Sequence, residues 1–187
     1  MKCTTGGPLE NDFSRKSMTV PLSDRNCSWA RSLDVLGDKW SLLIVREALV
    51  GATRFSDFQR SLDMARNVLT NRLEALCEAG ILSKHPQKEG SSRSFYVLTP
   101  KGSALFPVVV ALGQWGDKWI FGSEGEPVRL VERMTEIPLQ EITVATETGQ
   151  TVTPADLKLM PGPGAEPSTR KHLKKMQNAC HNGTGSK

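Results

Sequence analysis

The fold is decided between residues 56 and 98, where the sequence is SDFQRSLDMARNVLTNRLEALCEAGILSKHPQKEGSSRSFYVL. Ser56 and Gln59 have the spacing of a capping box, which predicts a short helix that ends near Leu62. A turn of a few residues separates it from a longer helix, predicted over residues 66–79. Two helices joined by a short turn are the layout of a helix-turn-helix motif.

A hairpin is predicted directly after the second helix. Residues 81–85 and 94–98 are two runs with strand-like composition, and the segment between them is polar and partly basic. Helix, turn, helix and then a hairpin with a charged tip is the order of elements in a winged helix.

Further helices are predicted on both sides of this stretch. Ser28 is expected to cap the first helix, which ends at Gly37, and Asp38 is expected to cap the second. Thr99 and the following proline start a helix that we expect to run to about residue 121, with a bend at Pro107. The fold class is therefore mainly α with a small β-hairpin wing.

Composition divides the chain into four predicted segments. Residues 1–25 mix Gly, Pro, Ser and charges without a sustained period, which indicates a flexible N-terminal arm. Residues 26–122 form the winged helix-turn-helix domain. Residues 123–159 are acidic and form a small C-terminal extension with room for short strands, and residues 160–187 are predicted to be a disordered basic tail. The net charge of +4 lies mostly in that tail, so the charge alone does not identify a nucleic-acid-binding domain.

Several classes of protein are disfavoured. The four cysteines contain no Cys-x-x-Cys pair, which argues against a zinc ribbon or a disulfide scaffold, so we expect no metal. The histidines are isolated and no nucleophile elbow or phosphate-binding loop is present, so we expect neither an enzyme nor a cofactor. No apolar run is long enough for a membrane span and the N-terminus lacks a signal-peptide core, so we expect a cytoplasmic protein.

The second helix of the motif has one apolar and one polar face. Leu69, Leu73 and Leu76 recur at helical spacing, so they fix the buried side. The residues that we expect to contact DNA from the exposed side, near the start of the helix, are Arg66, Asn67, Thr70 and Asn71. Asparagine can bond adenine through two hydrogen bonds, and a threonine methyl can contact the thymine methyl. The alternative is an ordinary solvated helix face.

Phosphate contacts are expected from two other places. The candidate wing residues are Lys84, Lys88, Ser91, Ser92 and Arg93. Arg54 and Ser56 are candidate phosphate anchors because the N-terminus of a helix favours anions. The alternative is that all of these are solvated surface and capping residues.

The first and last helices of the domain carry more apolar surface than one small domain needs. The residues predicted to form a dimer interface are Trp29, Leu33, Leu36, Leu112, Trp115 and Trp119. Filling of the core within one chain is the alternative. A dimer would contact two half-sites on a DNA duplex.

Six segments resemble the HxlR-type winged-helix regulators, which are relatives of the MarR group. They are CSWARSLDVLGDKWSLLIVR (27–46), RFSDF (54–58), RNVLTNRL (66–73), LCEAGIL (76–82), YVLTPKG (96–102) and QWGDKW (114–119). The resemblance implies a bacterial homodimer in which the first and last helices pair, the helix from Arg66 enters the major groove and the hairpin is the wing. It also implies that Cys27 is a candidate thiol sensor, although an inert packing role for this cysteine stays open.

The chain departs from the family pattern in two places. Ala65 stands where many members have a capping serine, so the recognition helix is expected to begin differently, with Asp63 as one candidate cap. Some members carry metal-binding cysteines in a C-terminal extension, whereas this chain has Thr135, Ala145 and Thr148 in the corresponding stretch.

These observations predict a sequence-specific transcriptional regulator. We expect a repressor that binds a palindromic operator in double-stranded DNA as a homodimer and responds to an electrophile, an oxidant or a small ligand. The alternatives are a protein–protein adaptor that docks through the acidic segment 124–156, since a winged helix can lose DNA binding and keep its scaffold, and an RNA-binding winged helix.

Overall fold

The structure is a computed structural model that describes residues 20–88 and 93–182. Its helices and strands, in chain order, are α1 (Ser28–Leu36), α2 (Ser41–Leu49), α3 (Phe55–Leu62), α4 (Arg66–Glu78), β1 (Leu82–Pro86), β2 (Ser94–Leu98), α5 (Pro100–Ser103), α6 (Phe106–Gly116) and α7 (Pro167–Asn182). A π-helical segment, Asp117–Phe121, continues α6. The predicted winged helix-turn-helix order is confirmed.

The core lies where α2, α3, α4 and the hairpin meet. The residues with almost no exposed surface are Ile44, Val45, Phe58, Leu69, Leu73, Leu76 and Leu82. Phe58 meets Tyr96 of β2 edge to face, with ring centroids 6.3 Å apart, so the short helix α3 packs directly on the wing. Burial of each large apolar side chain contributes roughly 1.5–3 kcal/mol relative to exposure. The leucine face predicted for α4 is therefore confirmed as the face that packs into the core.

The wing is joined to the rest of the domain by main-chain hydrogen bonds. Strands β1 and β2 pair antiparallel, with Leu82 opposite Leu98. Arg54 forms an isolated bridge with Phe95, and the amide of Tyr96 donates to the carbonyl of Thr53 at 2.7 Å. This bridge fixes the wing beside the N-terminus of α3.

Three helix starts differ from their predictions. Cys27, not Ser28, is the N-cap of α1, because Ser28 already has helical geometry. Helix α3 begins at Phe55, two residues earlier than a cap at Ser56 requires. Its N-cap is Arg54, and Asp57 takes the role predicted for Gln59, accepting a hydrogen bond from the N-cap amide at 3.0 Å. Asp38 makes the capping hydrogen bonds predicted for α2, accepting from the amides of Trp40 and Ser41 at 2.8 and 3.1 Å, but the N-cap position itself is Trp40 and the helix begins at Ser41.

The helix predicted from Thr99 to about residue 121 is wrong as one continuous element. Thr99 caps α5 by accepting from the Gly102 amide at 3.1 Å, but the chain breaks at residues 104–105 before α6 starts. Pro107 lies in the first turn of α6. Because proline lacks an amide hydrogen and clashes with the preceding turn, it starts a new helix there instead of bending an existing one.

The prediction of disorder throughout 160–187 is also wrong, because residues 167–182 form α7. Pro167 occupies the first helical position, which its fixed φ favours, and the lysines, glutamine and methionine that follow are good helix formers. Of the predicted N-terminal arm, only residues 20–25 lie within the described residues, and they include a 3-10 turn at Leu22–Asp24.

The extension after α6 contains two small turns with paired ends. Val131 bridges Pro138, and Ala145 bridges Thr151. Gln114 of α6 holds this segment: its side-chain amide donates to the carbonyl of Gln140, and its oxygen accepts from the amide of Ile142, both at 2.8 Å. The extension thus has short paired segments, as expected, and it is attached to α6.

Candidate nucleic-acid interface

An open cleft of about 770 Å³ lies between α3, α4 and the wing. Six of the residues predicted from the sequence to contact DNA line it together, namely Arg54, Ser56, Arg66, Thr70, Lys84 and Arg93. They come from three separate elements that converge because α3 and the wing are joined by the Arg54–Phe95 bridge. Basic and hydroxyl side chains gathered in one groove are the pattern that contacts a phosphate backbone.

Aromatic rings hold three of the cations at this surface. The guanidinium of Arg66 lies over the ring of Phe55, 5.2 Å from its centroid. Arg54 lies 5.7 Å from the ring centroid of its bridge partner Phe95. Such contacts are worth about 0.5–1 kcal/mol at exposed sites. They restrict the side chains and so reduce the entropy cost of ordering them on a ligand.

The third cation of this kind is on the wing itself. The ammonium of Lys84 lies 5.9 Å from the ring centroid of Tyr96, its direct cross-strand neighbour. Directly opposite residues of an antiparallel pair share one face of the hairpin, so strand register places the charge beside the ring. Lys84 is therefore on the cleft side of the wing.

The start of the recognition helix, α4, has no side-chain cap. Its N-cap is Ala65, so Arg66 is the first helical residue, and Asp63 adopts a left-handed conformation at the end of α3 instead of capping α4. The Thr70 hydroxyl donates to the carbonyl of Arg66 at 2.9 Å, so its hydrogen is used within the helix. Asn67 is exposed beside them on the first turn.

The other predicted residues that the structure describes lie outside the cleft lining. Asn67, Asn71 and Lys88 are exposed, whereas Ser91 and Ser92 lie outside the described residues. Arg93 accepts, through its carbonyl, a hydrogen bond from the amide of Gln87 at 2.9 Å, which closes the base of the wing loop.

Several uncharged members of the cleft were missed by the sequence reasoning, among them two glutamines. Gln59 lines the cleft from α3, and Gln87 lines it from the end of β1. The signal for Gln59 was available, since it lies one helical turn after Ser56. Glu74 also reaches the cleft, one turn beyond Thr70, and its negative charge limits phosphate contact to the first half of α4.

A large apolar patch is exposed away from the cleft. The predicted dimer residues with more than half of their surface exposed are Trp29, Leu33, Leu112, Trp115 and Trp119, with Leu36 half-buried. Helix α1 buries none of its residues within the chain. The alternative explanation, core filling within one chain, is therefore not supported for these side chains, and exposed patches of this kind mark interaction surfaces.

Cys27 is exposed and forms no disulfide with the described cysteines, and it lies at the N-cap of α1 beside this patch. Cys77 is half-buried, and burial raises the pKa of its thiol despite the nearby Lys84 ammonium. Within residues 20–88 and 93–182, no group of three or more His, Cys, Asp or Glu side chains is arranged to hold a metal ion. No described helix is both long and apolar enough to cross a bilayer.

Comparison with known proteins matches residues 35–124 to the HxlR-like helix-turn-helix family. The HTH-type transcriptional regulator Rv3095 of Mycobacterium tuberculosis strain H37Rv is 35% identical over 137 residues, which cover 73% of this chain and 87% of that protein. This chain belongs to the HxlR-like helix-turn-helix family. Its relatives are transcriptional regulators, so it is a helix-turn-helix transcriptional regulator and not an enzyme.

Other similar proteins agree with this assignment. YvaP of Bacillus subtilis strain 168, an HTH-type transcriptional regulator, is 34% identical over 48% of this chain and 84% of its own. The crystal structure of PA1607, described as a transcription factor, matches with a TM-score of 0.69 and 43% identity over 74% of this chain and 96% of its own. The structure of PA1374 of Pseudomonas aeruginosa matches with a TM-score of 0.58 and 40% identity, over 78% of this chain and 99% of its own. Both structures share more of the chain than the family match covers, which indicates that they also share part of the extension.

Proposed function

We propose that this regulator represses transcription by binding a palindromic operator as a homodimer. The observation that carries the proposal is the cleft, in which Arg54, Arg66 and Lys84 converge from α3, α4 and the wing and are each held against an aromatic ring. A promoter site occupied in this way is blocked to polymerase, and a chromosomal target implies a cytoplasmic protein.

In this proposal, α4 reads bases and the elements around it contact the backbone. Asn67 and Asn71 are exposed at the beginning of α4, the part of a recognition helix that meets base edges. The remaining proposed contacts are Arg66 and Thr70 on α4, Arg54 and Ser56 at α3, and Lys84, Lys88, Ser91, Ser92 and Arg93 on the wing. Contacts to phosphate fix orientation and supply most of the salt-dependent affinity.

The homodimer is proposed from the exposed patch of α1, α6 and the π-helical segment. A second copy would cover Trp29, Trp115 and Trp119, which have 55–69% of their surface exposed in one chain. Large aromatic side chains are enriched at the centre of protein interfaces. Two copies would present two recognition helices to half-sites about 34 Å apart.

We also propose that the regulator responds to an electrophile, an oxidant or a small ligand. Its support is the exposed thiol of Cys27 at the start of α1, next to Trp29 of the proposed interface. A modified thiol there would disturb the dimer and therefore the spacing of the two recognition helices. If alkylation of Cys27 leaves the affinity for DNA unchanged, the thiol is not a sensor.

The test is selection of bound duplexes from a random DNA pool, with the mass of the complex measured in parallel. Enrichment of one inverted repeat bound by two chains is the expected result. Weak binding without enrichment, equally sensitive to salt on all duplexes, would contradict sequence-specific recognition and favour the adaptor.

A further inference from the structure

The cationic side chains of α7 and the side chains that contact the rest of the protein lie on different sides of the helix. Thr169, Leu173 and Gln177 are half-buried and follow one another at i, i+4 spacing, so they form the inward side. The cations of the helix are all exposed, and they are Arg170, Lys171, Lys174 and Lys175. At about 100° per residue these four share one face of the helix.

The helix is attached to the DNA-binding domain at the residue that precedes the cap of α1. The Asn26 side-chain amide donates to the carbonyl of Gly164 at 3.1 Å. Its side-chain oxygen accepts from the amide of Glu166 at 3.0 Å and from the hydroxyl of Thr169 at 2.8 Å. Farther along, the Gln177 amide donates to the carbonyl of Leu159 at 2.8 Å. The cations are therefore held at a defined place on the domain.

The positive charge of α7 is not neutralised within the described part of the chain. The five ion pairs found there involve other residues. Glu166, immediately before the helix, is the last acidic residue of the sequence. An uncompensated row of cations attracts a polyanion.

Of the polyanions, DNA fits these observations better than a membrane. The four cations lie on less than two turns of helix, so they are concentrated along about 7.5 Å of its axis, as suits the dense row of charges on a duplex backbone. An interfacial membrane helix needs a broad apolar face free to enter lipid, often with aromatic residues. The described side chains of α7 include no Phe, Tyr or Trp, and Leu173 is half-buried against the protein.

We propose that the cationic face of α7 binds backbone phosphates of the duplex outside the bases that α4 reads. This inference rests on the proposed DNA-binding function and adds a second contact region to it. The contact is independent of base sequence, so it raises affinity and lengthens the footprint without changing the operator.

The experiment compares the wild-type protein with the fourfold variant R170Q/K171Q/K174Q/K175Q. Glutamine keeps high helix propensity and removes the charge. Each protein is titrated on the selected inverted repeat trimmed to its ends, and on the same repeat with about 10 bp, one helical turn, added on each side. A scrambled duplex of both lengths is included.

Wild type should gain at least about tenfold in affinity from the added flanks, and the slope of log K against log salt should steepen by about 0.9 for every phosphate contacted. The fourfold variant should lose this gain on both sequences and bind the trimmed repeat like wild type. The charge-conserving variant K171R/K174R/K175R should keep the gain. Asn26→Ala, which removes the Asn26 side-chain hydrogen bonds to the start of the helix but keeps the charge of α7, should keep only part of the gain.

Equal dependence on duplex length in wild type and the fourfold variant, with α7 still helical by circular dichroism, would overturn the proposal. The result is separable from the proposed function. Lack of preference for the selected repeat over the scrambled one would refute sequence-specific binding, while the length comparison on the scrambled duplex would still test α7.

Discussion

The guanidinium of Arg72, on the recognition helix, lies 3.4 Å from the carboxylate of Asp38 at the start of α2. The same carboxylate accepts from the amides of Trp40 and Ser41 and from the Ser41 hydroxyl. One side chain therefore caps α2 and fixes the position of α4 against it. Since Arg72 directly follows Asn71, this pair orients the helix that we propose to read DNA.

Replacement of Asp38 should lower stability in a pH-dependent manner. Burial alone would raise the pKa of Asp38, but the Ser41 hydroxyl, the two amides and Arg72 together hold it below its usual value. A lowered carboxylate pKa in the folded state adds stability above the unfolded pKa, about 3.9, and this is lost as the pH falls through the folded pKa. Asp38→Ala should therefore cost about 1–2 kcal/mol at pH 7, and less below pH 4.

Chemical denaturation at a series of pH values measures this. Asp38→Asn is the matched control, because asparagine retains a capping oxygen and should cost less than alanine at neutral pH. A penalty for Asp38→Ala that stays constant from pH 7 to pH 3 would show that the ionised carboxylate does not contribute.

Asn67 and Lys88 should affect DNA binding in different ways. Asn67→Ala should cost about 1–3 kcal/mol on the selected operator and relax preference at one base position, because a bidentate base contact is lost. Lys88→Ala should weaken all duplexes alike and flatten the salt slope by about one unit, as expected for a phosphate contact. Titrations on the operator and on single-base variants measure both effects, and an identical loss on every sequence for both proteins would contradict the assigned roles.

The proposed dimer depends on Trp119, which has 69% of its surface exposed in one chain. Trp119→Lys should raise the dimer dissociation constant by at least about thirtyfold, because loss of a central aromatic residue costs about 2 kcal/mol or more. Val50→Lys is the control, since Val50 is similarly exposed, at 61%, but lies at the end of α2 outside the patch. Sedimentation equilibrium distinguishes them. Equal effects of both changes would place the interface elsewhere.

The sequence predicts best the features that depend on local periodicity. The spacing of Leu69, Leu73 and Leu76 identifies the buried face of α4, and all three are buried. The support of the cleft depends on contacts between distant elements and could not be predicted in this way. The ring beside Arg54 comes from Phe95, which is far away in sequence and reaches it through a strand bridge.

Composition was misleading at the C-terminus for a physical reason. The Pro-Gly-Pro-Gly run at residues 161–164 cannot continue a helix, and it led to the prediction that the whole segment 160–187 is disordered. Pro167 lies just beyond, at a position where proline starts a helix. The anchoring of this helix by Asn26 joins residues 138 or more positions apart, which no local pattern indicates.

Gly102 of α5 lies against the main chain that leads into β1. A Cβ atom there would lie 2.2 Å from the carbonyl oxygen of Ile81 and 2.9 Å from a methyl carbon of Leu98. The methyl can move, but the carbonyl belongs to the main chain and accepts from the Thr99 amide at 3.0 Å, so the strand itself would have to shift. Gly102→Ala should therefore lower the free energy of unfolding by about 1–3 kcal/mol. Thermal unfolding tests this against Ser103→Ala, an exposed neighbour whose replacement should change the free energy of unfolding by no more than about 0.5 kcal/mol.

Because the shift would displace β1 and with it Lys84, Gly102→Ala should also weaken DNA binding at temperatures where the protein is fully folded. Unchanged stability and affinity would show that the backbone there relaxes without cost.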